Sequence, residues 1–452
     1  MPENLNLRST ISLREAFKFW LKLGFISFGG PAGQIATVHQ ELVEKKRWIS
    51  ESRFLHALNY CMVLPGPEAL QLVIYIGWLM HRTIGGLVAG LLFILPSLIL
   101  LIGLSAIYVT YGNTVLITGI FLGIKPAVTA IVLYAGYRIG KRILKGPLHW
   151  GIAILSFIAI AFIHLPYPAI IVGAGLLGYL CSRYSNNFSN TSSGHSKTVD
   201  KSGTQAIIGD DTPTPPHAIF AKKQLVMSIV GSIIAWGVPF MMIVMLWGQE
   251  SIFASLSLFF TKAALLTFGG AYAVLPYVFQ AAVENFHWLS ASQMIDGLAL
   301  GETTPGPLII VVAFVGYLAA HAEALISTMN VSPFLAGALG AIIVSWFIFL
   351  PSFCFIFIGG PLIESTHKEL RFAPAMTAIS CAVVGVIASL SLFFAIHTIW
   401  PKGLNQTLTN PSWVSIVLLA LATVSLIKFE QSVIRVLLGC ASIGLLWHWM
   451  TI

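Results

Sequence analysis

The sequence predicts an all-α polytopic membrane protein built from two inverted repeats, and three observations lead to that class. Of its 452 residues, 57% are hydrophobic and only 9% are charged, whereas a soluble domain carries about 25% charged residues. Runs such as residues 85–109 exceed the roughly 20 apolar residues that span a bilayer. Short glycine- and proline-containing motifs recur in both halves at a constant spacing.

The repeat is carried by motifs that lie 240 residues apart. SFGGP contains Gly29-Gly30 and TFGGA contains Gly269-Gly270, while PGP begins at Pro65 and again at Pro305. Between these motifs Gln40, Glu44 and Trp48 recur as Gln280, Glu284 and Trp288. Later, FILPS recurs as IFLPS and PAVTAI as PAMTAI, with offsets of 255 and 248. This shared spacing indicates an internal duplication with loops of different length.

The chain is expected to divide into three parts. Residues 184–221 are rich in Ser, Thr, Asn, Gly and Pro, and they carry too little apolar surface to form a core. We expect an N-terminal transport repeat over 1–183, a flexible cytoplasmic linker over 184–221, and an inverting helix with the C-terminal transport repeat over 222–452.

Charge predicts the orientation of the two repeats. The loop EKKRW (44–48) is basic, whereas its repeat ENFHW (284–288) is not. Short basic loops stay in the cytoplasm. We therefore expect a cytoplasmic N-terminus, the first loop inside and its copy outside, which is the inverted arrangement of many secondary transporters.

Each repeat is expected to begin with two re-entrant hairpins. Residues 14–28 would make about 22 Å of helix, which is short of the ~30 Å hydrocarbon core, and both flanks are basic. The chain is expected to turn back at its GGP motif, and a second hairpin is expected to join 53–64 to 67–80 at PGP. The alternative is that each hairpin is a kinked full span.

Full crossings are expected to follow the hairpins. In the first repeat they are 85–110, 114–138, 149–165 and 167–182. A single helix over 223–248 then inverts the frame, and the second repeat begins with hairpins at 251–286 and 290–320. Nine crossings are predicted in all.

The four breaks are predicted to form an anion site. A half-helix that begins inside the membrane presents unpaired N–H groups and the positive end of its dipole, and non-helical backbone persists at that depth only where protein or a cavity surrounds it. Ser27 and Thr267 add hydroxyl groups beside the breaks. The candidate substrate-binding residues at the tips are Gly29, Gly30, Pro31, Pro65, Gly66, Pro67, Gly269, Gly270, Thr303, Thr304, Pro305, Gly306 and Pro307.

Charged residues inside the apolar segments are the next candidates. Lys22 and Lys262 are 240 residues apart, and each precedes its Gly-Gly by seven residues, nearly two helical turns. They could attract an anion or extend to the interface. Glu68 and Glu302 flank the PGP motifs and are candidate coupling residues, because burial disfavours a charged carboxyl group and a proton could accompany the anion. Glu68 could equally be a first-turn dipole partner, and Lys125 is a weaker candidate.

The sequence resembles the long-chain, two-repeat type of the chromate ion transporter family. The resemblance rests on FGGPAGQIATVHQELVEKKRWIS, LPGPEALQLVIYIGWL, GGLVAGLLFILPS, TFGGAYAVLPYV and GETTPGPLI, and it covers essentially the whole chain outside the linker. It implies a multi-pass transporter of the bacterial inner membrane that exports chromate and confers chromate resistance, with sulfate as a structural analogue. The family often has a Gln within a turn after PGPLI, where this chain has IVVAFVGY, so the preferred oxyanion stays open.

Other classes fit the sequence less well. No HExxH motif, paired intramembrane aspartates or Ser/His nucleophile arrangement is present, so an enzyme is not expected. The five cysteines lack metal-ligand spacing, and no cofactor or metal is expected. The basic balance reflects loop charge and predicts no nucleic-acid partner. An oxyanion carrier without a chromate role and a lipid-phosphate flippase with re-entrant hairpins remain alternatives, and a homodimer is left open.

Overall fold

The computed structural model describes residues 11–28, 30–112, 114–184, 206–209, 212–213, 215–268, 270–326, 331–365, 373–400 and 412–451. Over this part the chain is helical, apart from an isolated β-bridge between Ile49 and Ile208. The predicted all-α polytopic fold with two repeats is confirmed.

The helices follow the predicted order in both halves. Those of the first half are α1 Leu13–Ile26, α2 Gly30–His39, α3 Glu51–Cys61, α4 Glu68–Tyr111, α5 Val115–Ile143, α6 Pro147–Ala161 and α7 Tyr167–Tyr184. Those of the second half are α8 Lys222–Trp247, α9 Ile252–Leu265, α10 Ala271–Phe279, α11 Ala291–Thr303, α12 Val311–Ile326, α13 Pro333–Ser365, α14 Ala373–Ile399, α15 Trp413–Ile427 and α16 Val433–Thr451.

The duplication extends to backbone detail. Both α2 and α10 continue into a π-helical turn, at Gln40–Lys45 and Gln280–Asn285. The residues Arg47 and His287, again 240 apart, both have a φ of +53°, a left-handed conformation that residues other than glycine seldom adopt.

The serines that begin α3 and α11 also correspond. Ser50 and Ser290 are the N-caps of these helices, and each side chain accepts a hydrogen bond from the backbone N–H three residues later. Such caps satisfy N–H groups that have no partner within the helix. The structure therefore repeats its helix starts as well as its helix breaks.

A backbone break divides α4 where the sequence predicts the end of the second hairpin. His81 and Arg82 have non-helical dihedral angles, and Arg82 has a φ of +56°. The part before the break corresponds to the predicted hairpin arm 67–80, and the part after it to the predicted crossing 85–110. In the second repeat the same two parts are separate helices, α12 and α13.

Within the described residues, seven helices are long and apolar enough to cross a membrane. They are α4, α5, α8, the segment Leu308–Ile326 that contains α12, α13, α14 and α16. α6, α7, α9 and α15 contribute shorter apolar stretches of 10–17 residues. The re-entrant course of the hairpins and the count of nine crossings stay predictions.

The helices of the two repeats are exchanged in their packing. α5 packs against α15 and α16 of the second half, while α14 packs against α6 and α7 of the first half. α5 and α14 also contact each other, and α1 packs on α4 as α9 packs on α13. Each repeat thus completes the other around a shared core, with a two-fold-like correspondence between reciprocal contacts.

Part of the predicted linker lies against the first repeat. Ile208 pairs with the loop before α3, where its N–H donates to Trp48 O at 3.0 Å and its carbonyl accepts from Ser50 N at 2.9 Å. His217 donates from Nε2 to Trp78 O at 2.9 Å, and burial lowers the pKa of its ring. Residues 185–205 lie outside the described residues, so the prediction of a flexible segment applies to them alone.

Candidate functional site

The PGP tip of each repeat is tied to the Gly-Gly break of the other repeat. Gly66 donates its backbone N–H to Thr267 O at 2.7 Å, and Gly306 donates its backbone N–H to Ser27 O at 2.8 Å. The two bonds are related by the 240-residue offset. They bring together the four breaks that the sequence predicts to converge.

The described glycines at the tips adopt backbone angles that favour glycine. Gly30, Gly66, Gly270 and Gly306 have φ values of +67°, +129°, +93° and +92°. A side chain strains the backbone at such angles. The other two predicted glycines, Gly29 and Gly269, lie outside the described residues.

A serine hydroxyl from the opposite repeat lies against each PGP glycine. A methyl group added at Gly66 would lie 2.6 Å from Ser352 Oγ, and one added at Gly306 would lie 2.5 Å from Ser97 Oγ. These serines end the IFLPS and FILPS motifs, whose purpose the sequence does not reveal. The structure therefore assigns them to the lining of the tips.

Two glutamines support the tips, and both belong to the first repeat. Gln34 donates from Nε2 to the carbonyl of Gly306, and Gln71 donates from Nε2 to Pro65 O at 2.7 Å. Valines occupy the corresponding second-repeat positions, 274 and 311. The amide support is thus not symmetric.

The two predicted coupling carboxylates lie at the Gly-Gly breaks. Tyr272 donates its hydroxyl to Glu302 Oε1 at 2.8 Å, and Glu302 is 7% exposed. A methyl group at Gly30 would lie 3.5 Å from the Tyr272 hydroxyl, and one at Gly270 would lie 3.8 Å from Glu68 Oε1. The acids that flank the PGP motifs in sequence therefore face the other pair of breaks.

Two arginines of α5 act on this group, and the sequence does not single them out. Arg142 interacts electrostatically with Glu68, and Arg138 with Tyr272. Both are exposed and four residues apart, so they lie on one face of the helix. Their signal in the sequence is the basic stretch RIGKRILK, which is also typical of a helix end in the cytoplasm.

The two predicted lysines lie at helix surfaces. Lys22 Nζ is 3.5 Å from Glu41 Oε2, and Lys45 Nζ is 2.6 Å from Glu41 Oε1. Lys262 is exposed, and position 281, which corresponds to Glu41, is an alanine. Lys22 therefore belongs to an ion-paired cluster rather than to the tip itself in this structure.

The predicted hydroxyl donors use their hydrogens within their own helices. Ser27 donates to Leu23 O at 2.7 Å, and Thr267 donates to Ala263 O at 2.6 Å. Thr303 and Thr304 likewise donate to carbonyls of α11 at 2.9 Å. A hydroxyl has one hydrogen to donate, so in this conformation these residues offer an anion no hydrogen bond.

The prolines occupy the places that the sequence assigns them. Pro31 is the second residue of α2, and Pro67 is the N-cap residue of α4. Pro307 precedes a short 3₁₀ turn that leads into α12. Pro65 and Pro305 open the two tips. A proline at a helix start loses no hydrogen bond, because the N–H there has no partner within the helix.

Comparison with known proteins gives consistent matches over both repeats. The family model for chromate transporters matches residues 14–179 and 254–445. A chromate transport protein of Pseudomonas aeruginosa is 31% identical over 85% of this chain and 82% of its own length. A chromate transport protein of Cupriavidus metallidurans is 26% identical over 96% and 93%, and a probable chromate transport protein of Synechococcus elongatus is 26% identical over 85% of each chain.

No solved structure matches the chain. The family match leaves out much of the segment between the repeats and covers the two parts that carry the tips. On the strength of that match and of its three relatives, this chain belongs to the chromate transporter family.

Proposed function

We propose that the protein is a secondary transporter of tetrahedral oxyanions, and most specifically an exporter of chromate across the bacterial inner membrane, with sulfate as analogue or counter-substrate. The observation that carries the proposal is the meeting of four helix breaks through the Gly66–Thr267 and Gly306–Ser27 backbone bonds. Three relatives named as chromate transport proteins or a probable one support the substrate class.

Helix starts supply the binding groups. The tie between the repeats uses the N–H groups of Gly66 and Gly306, so the donors for an anion are the N–H groups that follow in the first turns. N–H groups in the first turn have no partner within their own helix, and the positive helix end attracts negative charge. A tetrahedral dianion suits donors that approach from several directions.

Arginines and acids set the charge around that site. Arg138 and Arg142 draw an anion toward the tips from the end of α5 that we place in the cytoplasm. Glu68 and Glu302 face the Gly-Gly breaks, where a carboxylate would compete with the substrate. A proton bound by one of these acids removes that competition, which couples proton movement to anion movement.

Flux into inverted membrane vesicles tests the function. We expect chromate uptake driven by an imposed pH gradient and reduced by sulfate as competitor. Sulfate uptake without chromate uptake would leave an oxyanion carrier with no chromate role. Binding of polyprenyl phosphate with no oxyanion flux would instead favour the flippase.

Glu302→Gln tests the proton coupling in the same vesicles. The amide mimics the protonated acid, so binding between pH 5 and 8 should persist and lose most of its pH dependence, while pH-driven flux should fall at least tenfold. Exchange of one oxyanion for another should continue because it needs no net proton movement.

Two variants control that experiment. Glu68→Gln should have a smaller effect, because Glu68 is also a first-turn acid of α4. Glu323→Gln changes an acid near the far end of α12 and should leave flux unchanged. Intact pH-driven flux in Glu302→Gln would remove this residue from the coupling mechanism.

A further inference from the structure

A second group of charged residues lies away from the tips, where α4, α5 and α11 meet. Lys125 Nζ is 3.4 Å from Asp296 Oδ1, and Tyr108 donates its hydroxyl to Asp296 Oδ2 at 2.8 Å. Asp296 is 3% exposed. Charged side chains at such depth are functional candidates by default, because their desolvation is costly.

The ion pair is incompletely satisfied. Lys125 gives its short hydrogen bond, 2.6 Å, to Ser292 Oγ rather than to the carboxylate. Asp296 Oδ1 is buried and has no hydrogen-bond partner among the described residues. A buried carboxylate oxygen without a hydrogen bond is energetically unfavourable, so the attachment of Asp296 to Lys125 is easily exchanged.

Solvent reaches the lysine from one side. Ser292 is exposed, so the ammonium group lies between a buried carboxylate and an accessible hydroxyl. Tyr108 is three residues from the end of α4, Asp296 is near the start of α11, and Lys125 is about 15 Å from the start of α5. This is the end of α5 opposite its basic residues, which places the group toward the outer side under the predicted orientation.

The group also leads to a tip. Asp296 and Thr303 are seven residues apart on α11, so they lie on the same face about 10 Å apart. The second repeat offers no equivalent, because the positions related to Lys125, Arg138 and Arg142 are Ala373, Val386 and Leu390. The cations along this route therefore come from α5 alone.

We propose that Lys125 is a second oxyanion-binding residue on the outer side of the tips, and that Asp296 is the tethered carboxylate that occupies it when no substrate is present. An oxyanion that leaves the tips replaces Asp296 at the Lys125 ammonium before release. Tyr108 holds the carboxylate as it moves aside. This inference rests on the proposed oxyanion transport and adds an outer substrate site to it.

The test separates binding from flux in purified protein. Binding of radiolabelled sulfate is measured by equilibrium dialysis, and chromate flux is measured in proteoliposomes. Asp296→Asn should tighten sulfate binding by roughly tenfold, because it removes a close competing charge. Lys125→Met should weaken binding and slow flux by at least tenfold, and Lys125→Arg should restore both.

The neutral double variant Lys125→Met/Asp296→Asn decides between a binding site and a structural ion pair. It leaves no unpaired buried charge and is expected to fold, with flux as low as that of Lys125→Met. Flux equal to wild type in the double variant would show that the pair only stabilises the fold and would overturn the proposal.

The matched control is the exposed pair Lys46–Glu15, with the same 3.4 Å separation. Lys46→Met/Glu15→Gln should change neither binding nor flux. Unchanged sulfate binding in Asp296→Asn would also overturn the proposal. Absence of oxyanion flux in the wild type would refute oxyanion transport alone, because the binding changes at Lys125 are measured without it.

Discussion

At Gly66 and Gly306 the chain requires residues without a side chain for two separate reasons. Their φ values lie in the region that side chains avoid. Their α-carbons also lie so close to Ser352 and Ser97 that a methyl group would overlap the hydroxyl oxygens. The same residues donate the backbone bonds between the repeats, so a change there affects conformation, packing and the tie together.

We expect Gly66→Ala and Gly306→Ala each to reduce oxyanion flux at least tenfold while the protein still inserts into the membrane. The added methyl forces the tip away from the facing serine, and overpacking of this kind costs about 1–3 kcal/mol. Flux per inserted protein, with insertion measured by quantitative immunoblotting of membranes, is the readout.

Gly103→Ala is the control for this pair, because a methyl there meets nothing within 4 Å. It should transport as wild type does. Wild-type flux in both tip variants would show that the tips tolerate displacement and are only packing devices.

Residues that occur in matched pairs could be predicted from the sequence, and unpaired ones could not. Pro65 and Pro305 were identifiable because each motif confirms the other. Arg138, Tyr272 and Gln34 have no counterpart in the other repeat, so no internal comparison distinguishes them from ordinary polar residues. Their roles depend on contacts between segments distant in sequence, which only the folded chain brings together.

At the scale of helices, glycines set how closely the exchanged elements approach. A methyl group at Gly123 of α5 would lie 1.8 Å from Cys440 O of α16, and one at Gly385 of α14 would lie 2.0 Å from Ala153 O of α6. Small residues allow helix backbones to approach each other in membranes. These two contacts join α5 and α14 to the last helices of the opposite repeat.

Gly123→Ala and Gly385→Ala should each lower the thermal unfolding midpoint of the protein in detergent. The backbones must separate to admit the methyl group, at a cost of about 1–3 kcal/mol. Gly151→Ala in α6 has open space around it and should keep the wild-type midpoint. A midpoint unchanged by all three substitutions would contradict the close approach of these helices.

The order and limits of the helices could be read from apolar length and from Gly/Pro breaks, but their partners could not. The predicted boundary near residue 80 agrees with the distorted backbone at His81 and Arg82. Nothing in apolar segments of similar composition indicates that α14 packs on α6 rather than on α15. That choice follows from the shapes of helix surfaces, which hydropathy does not encode.

For the molecule as a whole, opposite orientation of the repeats has a direct test. Lys46 and Asn285 occupy corresponding loops, and we expect the first in the cytoplasm and the second outside, because only the first loop is basic. Single cysteines at these positions, in a chain whose five cysteines are replaced by serine, are labelled with a membrane-impermeant thiol reagent in intact cells.

Only the cysteine at position 285 should react before the cells are opened, and both should react afterwards. Equal labelling of the two positions in intact cells would contradict the inverted arrangement. The described contacts of the repeats do not depend on this outcome, because the reciprocal bonds hold for either direction of the two-fold-like axis.

The exchange of helices between the repeats has a consequence for how the polypeptide can be made. Neither half owns a finished interior: α5 lacks its neighbours until α15 and α16 arrive, and α14 lacks its own until α6 and α7 are present. The covalent link between the halves is therefore a tether and not a structural member of the core. A chain severed between residues 185 and 205 would keep the same interior, and two separately synthesised halves would each be the other's obligatory subunit.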